Sequence, residues 1–236
     1  AIVAMNLNDL YKKLSDIPIE EFPSSALSGL LHGYLSVYSM VRVNPWLEEV
    51  YGSQWMIHER IREIAGELAD LVKDPSITLE ERVGHVADLM ETYLTYSDMD
   101  FLDIALDAAY GILFSEGSDK IILTCRTSEM CRMLCSCYYF MGEQRYAEVA
   151  KEIITEQEYH VEINLGDLEK ENIWGWYRAV EFYETTIGGE GKSNRLENIN
   201  LLEDNLLARL ITKEQNMNVV SLCFDLLATK EYINLK

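Results

Sequence analysis

Two stretches of the chain, VADLMETYLTYSDMDFLDIALDAA at residues 86–109 and CRMLCSCYYFMGEQRYAEVAKEII at residues 131–154, share one layout at an offset of 45 positions. In each, an apolar helical pattern leads into a short acidic turn, and an aromatic residue then opens a second amphipathic pattern. Three corresponding pairs are identical: Leu89/Leu134, Tyr93/Tyr138 and Ala105/Ala150. One helical hairpin cannot bury its apolar face alone, so the repeat predicts helix pairs stacked on their neighbours.

Helix signals continue outside the repeat. Asn44-Pro45 and Asp74-Pro75 are typical helix stops, and Thr78 followed by Glu81 fits a capping box. Apolar residues at helical spacing also predict a continuous helix over residues 121–141, and no alternating β-branched run competes with helices. We therefore predict an all-α fold: an αα-hairpin superhelix of nine or ten helices in four or five antiparallel pairs, in one domain over residues 1–236.

Composition narrows the classes of function. The chain has 20 basic and 40 acidic residues, a formal net charge of −20, and 48% hydrophobic residues. A field of this sign repels phosphate backbones and anionic lipids and attracts basic molecules, so nucleic-acid binding is not expected. Solubility alone would also explain such a charge. No run of about 18 apolar residues is present, so a membrane-spanning segment is not expected.

The cysteines indicate a reducing compartment. Five is an odd number, and four of them crowd into residues 125–137, whereas a secreted disulfide framework would spread them in pairs. We therefore expect free thiols and a cytoplasmic location. Met5 is a candidate for the natural first residue, with residues 1–4 either a remnant of cloning or an upstream extension.

Residues 78–155 resemble two families of αα-hairpin proteins. The phrases ETYLTYSDMDFLDIALDAAYGIL and YYFMGEQRYAEVAKEII are similar to hairpins of the six-hairpin α/α-toroid family of carbohydrate-acting enzymes and of the tetratricopeptide class. The chain is short for a closed ring of six hairpins, and its 45-residue offset exceeds the tetratricopeptide period of about 34 residues. No catalytic residue of either family matches, so the resemblance implies a hairpin stack and no particular activity.

The motifs that suggest chemistry are each incomplete. TIGGEGKS at residues 186–193 has Thr186 where a phosphate-binding loop needs its first glycine, and it follows a predicted helix rather than a strand. Cys131 and Cys135 lie one helical turn apart without the second ligand pair that structural zinc needs, so we expect them to pack in a core. HERIRE at residues 58–63 supplies only the start of a zinc-protease motif. We expect no metal and no cofactor, and catalytic residues stay unknown.

The aromatic residues are the best candidates for binding. Residues 44–59 and 172–183 together hold all four tryptophans. Trp174 and Trp176 are about 200° apart around a helix, so we expect at least one of them to face a groove or a partner. The alternative is that both flank a helix wedged between its neighbours. The residues we predict to contact a partner or a sugar are Trp46, Trp55, Trp174, Trp176 and Tyr177.

Two functions remain open. The first is a non-catalytic protein-interaction module whose acidic surface binds a basic protein, for example as an inhibitor or immunity protein of a basic toxin. The alternative is a small α/α-toroid-like protein that binds oligosaccharides or cleaves glycosides, which would need an aromatic cleft beside two close carboxylates. The cluster Asp98, Asp100, Asp103 and Asp107 is the candidate acid group, although helix capping explains Asp98 and a solvated helix face explains Asp103 and Asp107.

Overall fold

A computed structural model describes residues 6–96, 99–163, 173–188 and 217–235. These residues form α-helices and three short 3-10 helices, with no β-strand among them, which confirms the all-α prediction. The α-helices are α1 (Leu7–Ser15), α2 (Leu27–Val43), α3 (Glu48–Tyr51), α4 (Gln54–Lys73), α5 (Leu79–Tyr96), α6 (Met99–Leu113), α7 (Ser128–Met141), α8 (Gln144–Ile163), α9 (Ile173–Thr186) and α10 (Met217–Leu235). The 3-10 helices are Ile19–Glu21, Ser24–Ala26 and Pro45–Leu47. No helix in these described ranges is long and apolar enough to cross a membrane.

The chain divides into two compact units. Unit 1 comprises Ala1–Glu67 and Asn194–Lys236, and unit 2 comprises Leu68–Ser193, so unit 2 interrupts unit 1 in sequence. The boundary falls inside α4. The single-domain prediction for residues 1–236 stays a prediction.

Unit 1 is organised around the pairing of α2 with α10. Gly29 and Gly33 let the two backbones approach: a Cβ at Gly33 would lie 2.5 Å from the Phe224 ring, and one at Gly29 would lie 2.5 Å from the Ser221 hydroxyl. The Phe224 ring packs edge-to-face on Tyr34, with ring centroids 5.0 Å apart. Because α2 and α10 are far apart in sequence, the expectation that helices pair in chain order is wrong for α2.

Unit 2 contains both copies of the repeat as packed hairpins. Helix α5 packs on α6, α7 packs on α8, and α5 also packs on α7. The repeated residues Leu89, Leu134, Ala105 and Ala150 are all fully buried, whereas the third identical pair, Tyr93 and Tyr138, is partly exposed. Two of the three identical pairs are therefore core positions. Neighbouring hairpins therefore stack in this unit, while a superhelix built from all the helices stays a prediction.

Local capping explains where most helices begin and end. The Thr78 hydroxyl accepts a hydrogen bond from the Glu81 N–H at 3.2 Å, as one half of the expected capping box. The expected helix over residues 121–141 is wrong for its first turns: Thr127 is the N-cap, and its hydroxyl accepts a hydrogen bond from the Met130 N–H at 3.1 Å. Helix α8 continues to Ile163.

Candidate interaction surface

Two of the predicted aromatic contact residues stand out from the surface of unit 1. The Trp46 residue is 67% exposed and the Trp55 residue is 70% exposed. Val43, Val50 and Met56, from the same short stretch of chain, are exposed as well. Large apolar side chains grouped in this way often mark a binding site.

Two local hydrogen bonds and one glycine fix the backbone turns between α2 and α4. Asn44 ends α2, and its side-chain amide donates to the Met40 carbonyl at 3.1 Å. Gly52 has a φ of +92°, a conformation that glycine adopts without strain, and it allows the sharp turn from α3 into α4. The Ser53 hydroxyl then accepts from the Met56 N–H at 3.2 Å, which caps the start of α4.

Tyr51 anchors the stretch to the rest of unit 1. It is buried, its hydroxyl donates to the Asn8 side-chain oxygen at 2.9 Å, and its ring meets Tyr11 edge-to-face at 5.1 Å. The flanking tryptophans are therefore carried by a segment that is itself attached to α1. Exposed indoles on a fixed backbone lose little further freedom when a partner covers them.

The charged side chains within this stretch of chain are of one sign. Residues 43–59 contain three carboxylates, Glu48, Glu49 and Glu59, and no lysine or arginine. The next cation, Arg60, turns inward and donates to the carbonyls of Leu14 and Ile17 at 2.8 and 2.6 Å. We define the Trp46–Trp55 surface as the apolar residues Val43, Trp46, Val50, Trp55 and Met56 together with Glu48, Glu49 and Glu59.

The other aromatic group predicted from sequence lies in the core of unit 2. Trp174, Trp176 and Tyr177 are all less than 9% exposed, and the rings of Trp174 and Tyr177 stack with centroids 4.9 Å apart. The expectation that at least one of the two indoles faces outward is wrong, because α9 packs against both α7 and α8 and so has more than one covered face. These three residues are not available to a partner in this structure.

The candidate acid cluster is not joined to those aromatics. Asp100, Asp103 and Asp107 lie exposed on α6, while Asp98 lies outside the described residues. A solvated helix face accounts for this arrangement. The aromatic cleft with two facing carboxylates that a glycosidase would need is therefore not formed by these residues.

Unit 2 also contains a buried ionic cluster that the sequence analysis missed. The Arg132 guanidinium on α7 donates to the carboxylates of Asp88, at 2.9 Å, and Glu91, both on α5. Burial alone lowers the pKa of Arg132, but the charges of Glu91, Asp88 and Glu129 raise it by more, so the guanidinium stays protonated. Two acids three positions apart on an otherwise apolar face of α5 were the available signal.

His85 lies one helical turn before Asp88 and is also buried. Its Nε2 atom has no hydrogen-bond partner. Desolvation lowers the pKa of His85, and the nearby Asp88 and Glu81 oppose that shift only in part. The imidazole is therefore held neutral near pH 7.

The cysteines of α7 are buried free thiols. Cys131, Cys135 and Cys137 are all inaccessible, as is Cys223 on α10. Burial raises the pKa of Cys137 and Cys223 to about 12, with Cys135 adding to the effect at Cys137. A protonated, inaccessible thiol is neither a nucleophile nor a metal ligand, so these side chains serve packing.

The glycine-rich segment that resembled a phosphate-binding loop begins at the end of a helix. Thr186 is the last residue of α9, and its hydroxyl donates to the Phe182 carbonyl at 2.7 Å. Residues 189–193 of the motif lie outside the described residues. A phosphate-binding loop follows a buried strand, which this segment does not.

Comparisons with known proteins identified no relative of this chain. No protein-family model matches the chain, and neither does any curated protein or solved structure.

Proposed function

We propose that this chain is a non-catalytic protein-interaction module that binds a basic protein partner through its acidic surface. The observation that carries the proposal is the set of partners that the arginines bind. Several arginines bind backbone carbonyls or buried carboxylates within their own unit. The exposed glutamates and aspartates are therefore in excess. The formal net charge of the whole chain is −20.

Arg60 and Arg82 both donate to backbone carbonyls. Besides its two carbonyl partners, Arg60 lies over the Tyr34 ring with its guanidinium carbon 5.5 Å from the centroid. Arg82 donates to the carbonyls of Val72 and Asp74 at 3.2 and 2.7 Å, where it satisfies the end of α4. Both cations stabilise helix ends instead of neutralising surface carboxylates.

Arg132 follows the same rule in unit 2, whereas Arg145 divides its contacts between a backbone carbonyl and an exposed carboxylate. Arg132 is almost completely buried with its two carboxylates. Arg145 donates to the Asp119 carbonyl and lies over the Phe114 ring at 4.8 Å, and it also contacts Glu143 at 3.2 Å. Neither side chain offsets the charge of the glutamates along α8.

Helix α8 presents one row of surface acids. Glu148, Glu152 and Glu156 are exposed at intervals of four residues, so they lie along one face. Arg126 and Lys151 lie beside this row, and Arg126 pairs with Glu156 at 3.4 Å. Even with these two cations the glutamates are in the majority.

A surface of this kind speeds the encounter with a positively charged protein and disfavours nucleic acid. An inhibitor or immunity protein of a basic toxin is one form that such a function could take. The carbohydrate alternative is less well supported, because Trp174 and Trp176 lie in the core and Asp103 and Asp107 on a solvated face.

The test is affinity capture from the source cells with the complete chain as bait, at about 50 mM and about 500 mM salt. A captured protein counts only if it is basic and if the purified pair binds more weakly at the higher salt. A variant with Glu148→Lys, Glu152→Lys and Glu156→Lys should bind more weakly still, and Glu→Gln changes at the same positions should have a smaller effect. A partner that is neutral or acidic, or affinity that does not change with salt, would contradict the proposal.

A further inference from the structure

We infer that the Trp46–Trp55 surface is the docking site for a basic amphipathic helix of the partner. This inference rests on the proposed function and gives it a location. It depends on where the exposed apolar side chains lie, on how they are held, and on the charges beside them.

The exposed apolar residues are concentrated at this surface. Ten large hydrophobic residues are exposed across the described residues, and five of them fall between Val43 and Met56. The other five are Met99, Tyr110, Ile122, Tyr139 and Leu235, and they are spread over α6, α7, α10 and the loop before α7. Tryptophan is also the residue most enriched among those that dominate binding energy.

The composition of the surface suits a partner helix. Trp46 and Trp55 offer broad apolar faces, and Met56 is a flexible side chain that adapts to different shapes. A partner helix supplies apolar side chains at positions i, i+3, i+4 and i+7 on one face. Trp46, Trp55 and Met56 are the residues that we expect to contact such a row.

The charges determine which helix fits. Glu49 is exposed beside Val50, and Glu59 lies one helical turn after Trp55, so the two fall within a few residues of the indoles. A helix with lysine or arginine flanking its apolar row would pair with these carboxylates, whereas an acidic helix would be repelled. The exposed cations Arg42 and Arg62 lie outside residues 43–59, at the margins of the surface.

The experiment compares two synthetic peptides of about eighteen residues with the same composition of leucine and lysine. One places leucine at helical spacing, and the other is a scrambled order with the same charge. The complete chain is titrated against each fluorescently labelled peptide in low salt. We expect the patterned peptide to bind at least about tenfold more tightly than the scrambled one.

Two sets of substitutions test whether the peptide binds at the Trp46–Trp55 surface. Trp46→Ala with Trp55→Ala should remove the preference for the patterned peptide, whereas Tyr139→Ala, at an aromatic residue of unit 2 that is 58% exposed, should leave it unchanged. Glu48→Gln, Glu49→Gln and Glu59→Gln together should reduce the dependence of the affinity on salt. Circular dichroism of each variant checks that the helices remain.

The outcomes separate this inference from the proposed function. If the double tryptophan variant keeps the preference, the docking site is wrong, and binding to a basic partner still stands. If the chain binds neither peptide, both are contradicted. If the tryptophans instead mediate binding to zwitterionic vesicles or to oligosaccharides, with no preference between the peptides, the inference is overturned in favour of that ligand.

Discussion

The Arg132 guanidinium donates to the Asp88 carboxylate at 2.9 Å, and this buried pair links α7 of one hairpin to α5 of the other. Both side chains are less than 5% exposed. The same guanidinium also binds Glu91, so one cation holds two anions in the interior. The two copies of the repeat are therefore joined by charge as well as by apolar packing.

Removing the cation should be costly. We expect Arg132→Met to lower the free energy of unfolding by about 3–5 kcal/mol, because it leaves two buried carboxylates without their cation. Asp88→Asn should cost less in the Arg132→Met background than in the wild type, since the two residues interact directly. Urea denaturation of the four proteins of this double-mutant cycle measures the coupling. Additive effects would show that the pair contributes nothing specific.

His85 should make the protein less stable below neutral pH. Its pKa in the folded state lies below the ordinary value of 6.5, so the unfolded chain takes up a proton more readily. The stability that neutral His85 contributes is complete above about pH 6.5 and is lost as the pH falls through its folded-state pKa. In His85→Phe the free energy of unfolding should fall less between pH 7.5 and pH 5.5 than in the wild type. His58→Gln, at a partly exposed histidine, is the control. Equal pH dependence in His85→Phe and the wild type would contradict this role.

The close approach of α2 and α10 depends on Gly33. We expect Gly33→Ala to destabilise unit 1 by about 1–3 kcal/mol, because the new methyl group would lie 2.5 Å from the buried Phe224 ring. Gly66→Ala is the matched control: it lies inside α4 with open space around it, so helix propensity should make it stabilising by about 0.5–1 kcal/mol. Thermal unfolding of both variants gives the comparison. A neutral Gly33→Ala would show that the helices are not in close contact at this point.

Fluorescence quenching should distinguish the two pairs of tryptophans. Trp46 and Trp55 are exposed and Trp174 and Trp176 are buried, so acrylamide should quench only part of the emission. Trp46→Phe with Trp55→Phe should remove most of that accessible part. Relative to free N-acetyltryptophanamide, Cs⁺ should quench the exposed indoles more efficiently than I⁻, because the surface attracts cations. A stronger relative effect of I⁻ would contradict an anionic environment.

The sequence predicted structural features correctly where they depend on residues close together in the chain. Proline, asparagine and threonine mark the ends of α2 and α4 and the start of α5. The hairpin repeat of unit 2 was visible because two of its three identical pairs, Leu89/Leu134 and Ala105/Ala150, occupy equivalent core positions.

Features set by distant contacts were not predictable in this way. The pairing of α2 with α10 joins helices from opposite ends of the chain, and the only local trace of it was two glycines four residues apart. The burial of Trp174 and Trp176 follows from α9 packing against two helices at once, which periodicity within one helix does not reveal. The Arg132 cluster likewise depends on which helices become neighbours.

The most direct test of the account is the nuclear magnetic resonance spectrum of the indole N–H groups during titration with the patterned basic peptide. The four signals can be assigned with single Trp→Phe variants. The account predicts that the signals of Trp46 and Trp55 shift with added peptide while those of Trp174 and Trp176 stay in place. Shifts confined to Trp174 and Trp176, or no shift at saturating peptide, would contradict it.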